Sequence, residues 1–141
     1  MNAEESAREP HLTMANEDYL ECIVRIEREG GEETGIRSVD IAQRLNVSKA
    51  SVNKAITALK AQGMVEQPHY GKVMLTEAGR EIGSAVWGRH RMLRAFLTKE
   101  LGVAFERADE EACQMEHALS EDTMMRWLDY LEQQGISNID E

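Results

Sequence analysis

The segment RSVDIAQRLNVSKASVNKAITALKAQGMV, residues 37–65, decides the fold of this chain. Its apolar residues recur at helical spacing in two short runs. We predict a first helix capped by Ser38 and a tight turn at Asn46-Val47-Ser48. A second helix then runs from the Ser48 cap to Gln62. Two short helices joined by about three residues form a helix-turn-helix.

The sequence after this motif predicts a wing. Residues 64–79, MVEQPHYGKVMLTEAG, place β-prone residues on both sides of a turn at HYGK, as expected of a two-stranded hairpin. A helix capped by Asn16 precedes the motif, a long helix begins at a Thr76 cap, and Ser120 opens the last of the helices that follow. The predicted fold class is therefore mainly α: a winged helix-turn-helix with a small β-hairpin wing, followed by a helical domain.

The charge distribution favours DNA binding by this motif. The net charge of −10 argues against nucleic acid, but residues 37–80 carry +4, so the remainder carries −14. Asparagine can pair with an adenine edge, and lysine can reach guanine or phosphate. The alternative is a solvated helix with ordinary surface lysines. The candidate DNA contacts are Arg37, Ser48, Lys49, Ala50, Ser51, Asn53, Lys54 and Lys72.

The chain divides into four predicted regions. We expect a disordered arm at residues 1–12, the winged helix at 13–75, a helical domain at 76–136 and a frayed tail at 137–141. No apolar run reaches the roughly 20 residues of a membrane span, and the N-terminus has no signal-peptide pattern. We therefore expect a cytoplasmic protein without membrane partners, whose two cysteines are thiols.

The segment EEACQMEHALSED, residues 110–122, groups three potential metal ligands. Cys113, Glu116 and His117 are spaced i, i+3 and i+4, so they share one face of a helix. Three ligands do not complete a site, and further donors exist in the first helix and the long helix. Those further candidates are Asp18, Glu21 and His90. The alternative is a small core cysteine, a surface histidine and a solvated pair of carboxylates.

The runs NEDYLECIVRIE, GRHRMLRAFL and EEACQMEHALS, together with the winged helix, resemble the metal-dependent repressors of the diphtheria toxin repressor and manganese transport regulator family. The resemblance covers roughly residues 14–134 and implies a metal-binding and dimerisation role for the helical domain. We expect the short form of the family, without the SH3-like domain of longer members. The metal ligands that the resemblance implies are Asp18, Glu21, His90, Cys113, Glu116 and His117.

The ligand set is a hybrid of two branches of that family. The manganese branch has Glu where this chain has Cys113, whereas the iron branch has Cys there but Met in place of Asp18. A second site of the iron branch would fall on His90, Arg94 and Asp109, and the guanidinium departs from that branch's carboxylate. Thiolate favours later transition metals, whereas carboxylates suit Mn²⁺ and Fe²⁺. We expect Fe(II) first and Mn(II) close behind, with other divalent metals binding in vitro.

The resemblance implies a metal-dependent transcriptional repressor of metal-homeostasis genes, and not an enzyme. Its partners would be an operator in double-stranded DNA and a second copy of the chain, with no other protein predicted. The rivals are a winged-helix regulator that responds to a small molecule and a metallohydrolase. The predicted dimer interface is an apolar set near the C-terminus: Leu119, Met124, Trp127, Leu128 and Leu131.

Overall fold

The computed structural model describes residues 14–30, 35–69 and 71–136. The predicted arm at 1–12 and tail at 137–141 lie outside these residues. The predicted fold class is confirmed, because the described residues form a winged helix-turn-helix followed by further helices. The chain divides into two compact units, residues 1–83 and 84–141. No helix among the described residues is long and apolar enough to span a membrane.

The N-terminal unit contains three helices, a three-stranded antiparallel sheet and the start of a fourth helix. The sheet order is β1-β3-β2, in which Ile36 pairs with Val73 and Val65 pairs with Leu75. The elements are α1 (Met14–Arg28), β1 (Ile36–Arg37), α2 (Ser38–Leu45), α3 (Lys49–Ala61), β2 (Val65–Glu66), β3 (Lys72–Leu75) and α4 (Glu77–Ala95).

The turn between α2 and α3 forms as predicted. Asn46 adopts the left-handed conformation with φ of 57°, and its N–H bonds back to the carbonyls of Ala42 and Gln43. Asparagine tolerates this conformation better than most residues. The Ser48 hydroxyl then accepts the Ser51 N–H and caps α3. Helix α3 buries an apolar face and leaves its opposite face exposed: the buried residues are Val52, Ala55, Ile56 and Leu59.

Two predicted helix caps are wrong. Arg37, not Ser38, precedes α2, and no side chain caps that helix. The reason is β1, which holds Arg37 extended, while the Ser38 N–H donates to the Gly71 carbonyl of the wing turn at 2.9 Å. Asn16 likewise lies inside α1, which begins at Met14.

Two glycines of α4 allow close packing within the N-terminal unit. A Cβ at Gly83 would lie 2.7 Å from the Val24 side chain and 2.8 Å from the Leu20 carbonyl oxygen of α1. A Cβ at Gly79 would lie only 2.0 Å from the carbonyl oxygen of Met64. These contacts fix the first turns of α4 against α1 and the wing within the N-terminal unit.

Replacing Gly79 by alanine is expected to destabilise the protein by about 2 kcal/mol, the usual cost of overpacking. The added methyl would collide with backbone that cannot rotate away, because the Met64 oxygen also accepts the Thr76 N–H at 3.0 Å. Urea unfolding of the full chain measures the loss. Ala78→Ser, at an exposed position of the same helix, is the matched control and should change stability by less than about 0.5 kcal/mol. Equal midpoints for the two variants would contradict this packing.

The C-terminal unit contains the rest of α4, a π-helical turn (Phe96–Glu100), α5 (Phe105–Ala118) and α6 (Glu121–Gln133). Ser120 caps α6 as predicted, because its hydroxyl accepts the Thr123 N–H. The core of this unit is Leu93, Leu97, Ala108, Ala112, Met124 and Leu131.

The predicted dimer interface needs correction at two positions. Met124 and Leu131 are buried in the core of the unit, so they are not surface residues. Trp127 and Leu128 are half-buried, and Leu119 is exposed. The apolar residues of one helix face can lie either in the core or at its edge. Leu119, Trp127 and Leu128 therefore remain candidates for a dimer contact.

Candidate metal centre

The three ligand candidates of α5 lie on one face of that helix. The Cys113 Sγ and a ring nitrogen of His117 lie within 4.8 Å of each other, and both residues are half-buried. The Glu116 carboxylate is also close to His117, with 3.8 Å between Oε1 and Nε2. The i, i+3, i+4 spacing therefore brings a thiol, a carboxylate and an imidazole together, as the sequence predicted.

Glu116 is the most unusual residue of this cluster. Its side chain is 0% exposed, and neither carboxylate oxygen accepts a hydrogen bond from any described residue. The Nδ1 of His90 approaches Oε2 to 3.3 Å, but the contact lacks hydrogen-bond geometry. Burying an ionised carboxylate without donors is costly. Such a group is suited to ligate a cation.

His90 joins this cluster from α4. It is 2% exposed, and its ring stacks on Trp87 with 5.5 Å between the ring centroids. Its Nε2 lies 2.7 Å from Asp109 Oδ1, so the proton of the neutral ring belongs on Nε2. The other nitrogen, Nδ1, then carries the lone pair on the side of Glu116, which is how a neighbouring carboxylate orients a metal-binding histidine.

Asp109 and Arg94 complete the contacts of His90. Arg94 Nη1 donates to the same Asp109 oxygen at 2.7 Å. Burial raises the pKa of Asp109, but the hydrogen bonds from His90 and Arg94 outweigh it and leave that pKa below its ordinary value. The resemblance to the iron branch grouped these three positions, and their side chains do lie together, although 15 residues separate Arg94 from Asp109.

The other two candidate ligands belong to α1 in the N-terminal unit. Asp18 is half-buried, and Glu21, one turn further on, is buried. The nearest cation to Glu21 among the ion pairs of this unit is Arg25, whose Nη1 lies 3.8 Å from Oε2. The neighbouring Cys22 is buried as well, and burial raises the pKa of its thiol to about 11. Cys22 is therefore a core residue.

The candidate DNA contacts lie on the surface of the N-terminal unit. All candidates on α3 are exposed, whereas Lys72 at the start of β3 is half-buried. Some candidates also make contacts within the protein. The Ser48 hydroxyl caps α3 and donates to the Ser51 hydroxyl at 3.1 Å, and Arg37 pairs with Asp40 at 3.0 Å. The exposed candidates on α3 are Lys49, Ala50, Ser51, Asn53 and Lys54.

A winged helix is joined to a helical unit that groups a half-buried thiol and imidazole with the buried side chains of Glu116 and His90. This combination defines a class, the metal-responsive DNA-binding repressors. The particular family follows from comparison with known proteins. Residues 11–73 match the N-terminal DNA binding domain of iron dependent repressors. Residues 76–134 match their metal binding and dimerisation domain. The chain belongs to the iron-dependent repressor family, and the resemblance stated from its sequence is confirmed.

Individual relatives agree with this family. The chain is 38% identical to the transcriptional regulator MntR of Escherichia coli O6:H1, over 83% of this chain and 73% of MntR. It is 31% identical to an uncharacterised HTH-type transcriptional regulator of Methanocaldococcus jannaschii, over 86% of this chain and 95% of that protein. A solved manganese-dependent transcriptional repressor in complex with manganese superposes with a TM-score of 0.68 at 32% identity. That match covers 83% of this chain but only 52% of the solved one.

These comparisons confirm the predicted class of function. The protein is a metal-responsive DNA-binding repressor with a dimerisation domain. Its family consists of transcriptional repressors rather than enzymes.

Proposed function

We propose that this protein represses metal-homeostasis genes in the cytoplasm, with Fe²⁺ or Mn²⁺ as the corepressor. The observation that carries the proposal is the Glu116 carboxylate, fully buried and without a hydrogen-bond donor among the described residues. The adjacent thiol and imidazoles supply further donors of the types that transition metals prefer. The MntR name of one relative and the bound manganese of a solved neighbour support a metal of this kind.

The proposed ligand set combines donors from both units of the chain. Transition metals take four to six ligands, so the donors on α5 do not suffice alone. A bound divalent cation would supply the positive charge that neutralises the ionised donors. The thiolate of Cys113 favours Fe²⁺ over Mn²⁺, and the carboxylates suit both. The proposed ligands are His90, Cys113, Glu116 and His117 of the C-terminal unit and Asp18 and Glu21 of α1.

We propose that repulsion among the ligands couples metal binding to DNA binding. Carboxylates and a thiolate repel one another when they are ionised and close together. The conformation that gathers them is therefore favoured only in the presence of a cation. If the same conformation positions α3 for DNA, metal and DNA strengthen each other's binding by equal factors. In this scheme Asp18, Glu21 and Glu116 serve as ligands, and Asp109 is engaged by His90 and Arg94. None of these carboxylates is left to act as a general base for hydrolysis.

A homodimer presents two DNA-binding surfaces, one from each copy of the chain. Two winged helices related by a two-fold axis contact two half-sites in successive major grooves. On each, we propose that the exposed candidates on α3, Lys49 to Ser51 with Asn53 and Lys54, read base edges, with Asn53 suited to adenine. Lys72 of the wing and Arg37 would contact the DNA backbone. Leu119, Trp127 and Leu128 are the proposed dimer contacts.

DNA affinity is expected to rise about a hundredfold with metal, within the usual range of coupling between two sites. The test is a gel shift at fixed ionic strength on the DNA upstream of the protein's own coding sequence. Anaerobic Fe²⁺, Mn²⁺ and chelator form the three arms. An unrelated fragment of equal length controls for non-specific binding. Asn53→Ala is the second control and should bind metal normally but the DNA more weakly. Equal retardation in chelator and in both metals would contradict the coupling.

A further inference from the structure

Two carboxylates flank His90 on opposite ring nitrogens, and their surroundings differ. Asp109 Oδ1 lies 2.7 Å from His90 Nε2 and 2.7 Å from Arg94 Nη1. Glu116 Oε2 lies 3.3 Å from His90 Nδ1, and neither of its oxygens has a hydrogen bond from the described residues. The negative charge of Asp109 is thus compensated within the protein, whereas that of Glu116 is not.

Arg94 is held as a fixed positive charge on the Asp109 side. It is 5% exposed, and its guanidinium carbon lies 5.4 Å from the Trp87 ring centroid and 4.7 Å from that of Phe105. Cation–π contacts with both rings and an ion pair with Asp109 fix its position. A guanidinium does not lose its proton in a protein, so this charge is present at every working pH.

The geometry points to a role for this arginine that extends the proposed function and rests on it: Arg94 is a built-in cation that closes the Nε2 side of His90 to metal. Metal ions then bind only on the Nδ1 side of His90, next to Glu116. A cation entering beside Asp109 would lie close to the guanidinium and be repelled. It would also find the proton, not the lone pair, on Nε2. Asp109 is accordingly a positioning residue that orients His90, and it is not a ligand.

Cobalt titration of the full-length protein tests this assignment. Co²⁺ bound to the Cys113 thiolate gives a charge-transfer band, so the absorption reports only ions on the Glu116 side. Equilibrium dialysis counts all bound ions. In the wild type we expect every bound cobalt to be accounted for by the thiolate band. In Arg94→Glu we expect one additional ion per chain that adds nothing to the band.

Two further variants keep the test decisive. Arg91→Glu makes the same charge change on the same helix, at an arginine that also stacks on Trp87, 5.0 Å from the ring centroid; it should bind cobalt like the wild type. Arg94→Gln removes the charge and adds only a neutral amide oxygen in place of a carboxylate, so it should admit the extra ion about tenfold more weakly than Arg94→Glu. This variant preserves the test if Arg94→Glu fails to fold.

The outcomes separate the two proposals. Wild-type cobalt uptake with unchanged uptake in both Arg94 variants would overturn the role of Arg94 alone. So would a wild-type ion that gives no thiolate band and is lost in Asp109→Asn. A wild-type chain that takes up no cobalt at all would overturn the proposed function together with this inference.

Discussion

Glu116→Gln is expected to weaken metal binding about a thousandfold and, in the absence of metal, to make the protein more stable. The first effect follows because an amide offers a cation no net charge and a poorer ligand. A thousandfold corresponds to about 4 kcal/mol.

The gain in stability has a separate cause. An ionised carboxylate buried without hydrogen bonds opposes folding, and a neutral amide of the same shape removes that cost. The new amide can also donate to His90 Nδ1, which lies 3.3 Å from Oε2 in the wild type. We expect the free energy of unfolding to rise by about 1–2 kcal/mol in chelator.

Unfolding curves in chelator and in excess Mn²⁺ measure both effects. Glu111→Gln is the matched control, because Glu111 is an exposed residue of the same helix and the change in charge is identical. The control should retain the stabilisation by metal, whereas Glu116→Gln should lose it. A metal-free variant less stable than the wild type would show that Glu116 is a structural residue rather than a ligand kept for a cation.

The sequence predicted the elements that local chemistry specifies. Asn46 and Ser48 mark the helix-turn-helix because a left-handed turn and a helix cap are properties of two or three adjacent residues. Strand β1 was not predicted, since the two residues Ile36–Arg37 become a strand only by pairing with β3, more than 30 positions further on. The Ser38 cap failed for the same reason: the sheet, and not the serine, sets where α2 begins.

The site was predicted in part for similar reasons. The spacing of Cys113, Glu116 and His117 is local to one helix, so the sequence shows it directly. The Arg94–Asp109 pair joins two helices. No local spacing predicts it, and only the resemblance to the iron branch groups the two positions. Apolar spacing in α6 identified a stripe but did not separate its buried members, such as Leu131, from those at the rim, because both recur with the same helical period.

Cys113→Glu is expected to shift the preference of the site from Fe²⁺ and Co²⁺ toward Mn²⁺ by about a hundredfold. A thiolate is a soft ligand that favours the later metals, whereas a carboxylate is a hard ligand suited to manganese. The position is half-buried beside His117, so a longer side chain can be accommodated toward the solvent. The measurement is competition between Mn²⁺ and Co²⁺ for the full-length protein, with bound metal determined by elemental analysis.

Cys22→Ala is the control that makes this result specific to one thiol. Cys22 is buried, and the pKa of about 11 keeps it protonated at neutral pH, a form that does not ligate metals. Its loss should cost stability through a small cavity but leave the ranking of metals unchanged. An unchanged ranking of metals in Cys113→Glu would show that the Cys113 thiolate does not select the metal. A changed ranking in Cys22→Ala would show that Cys22, and not Cys113 alone, influences which metal binds.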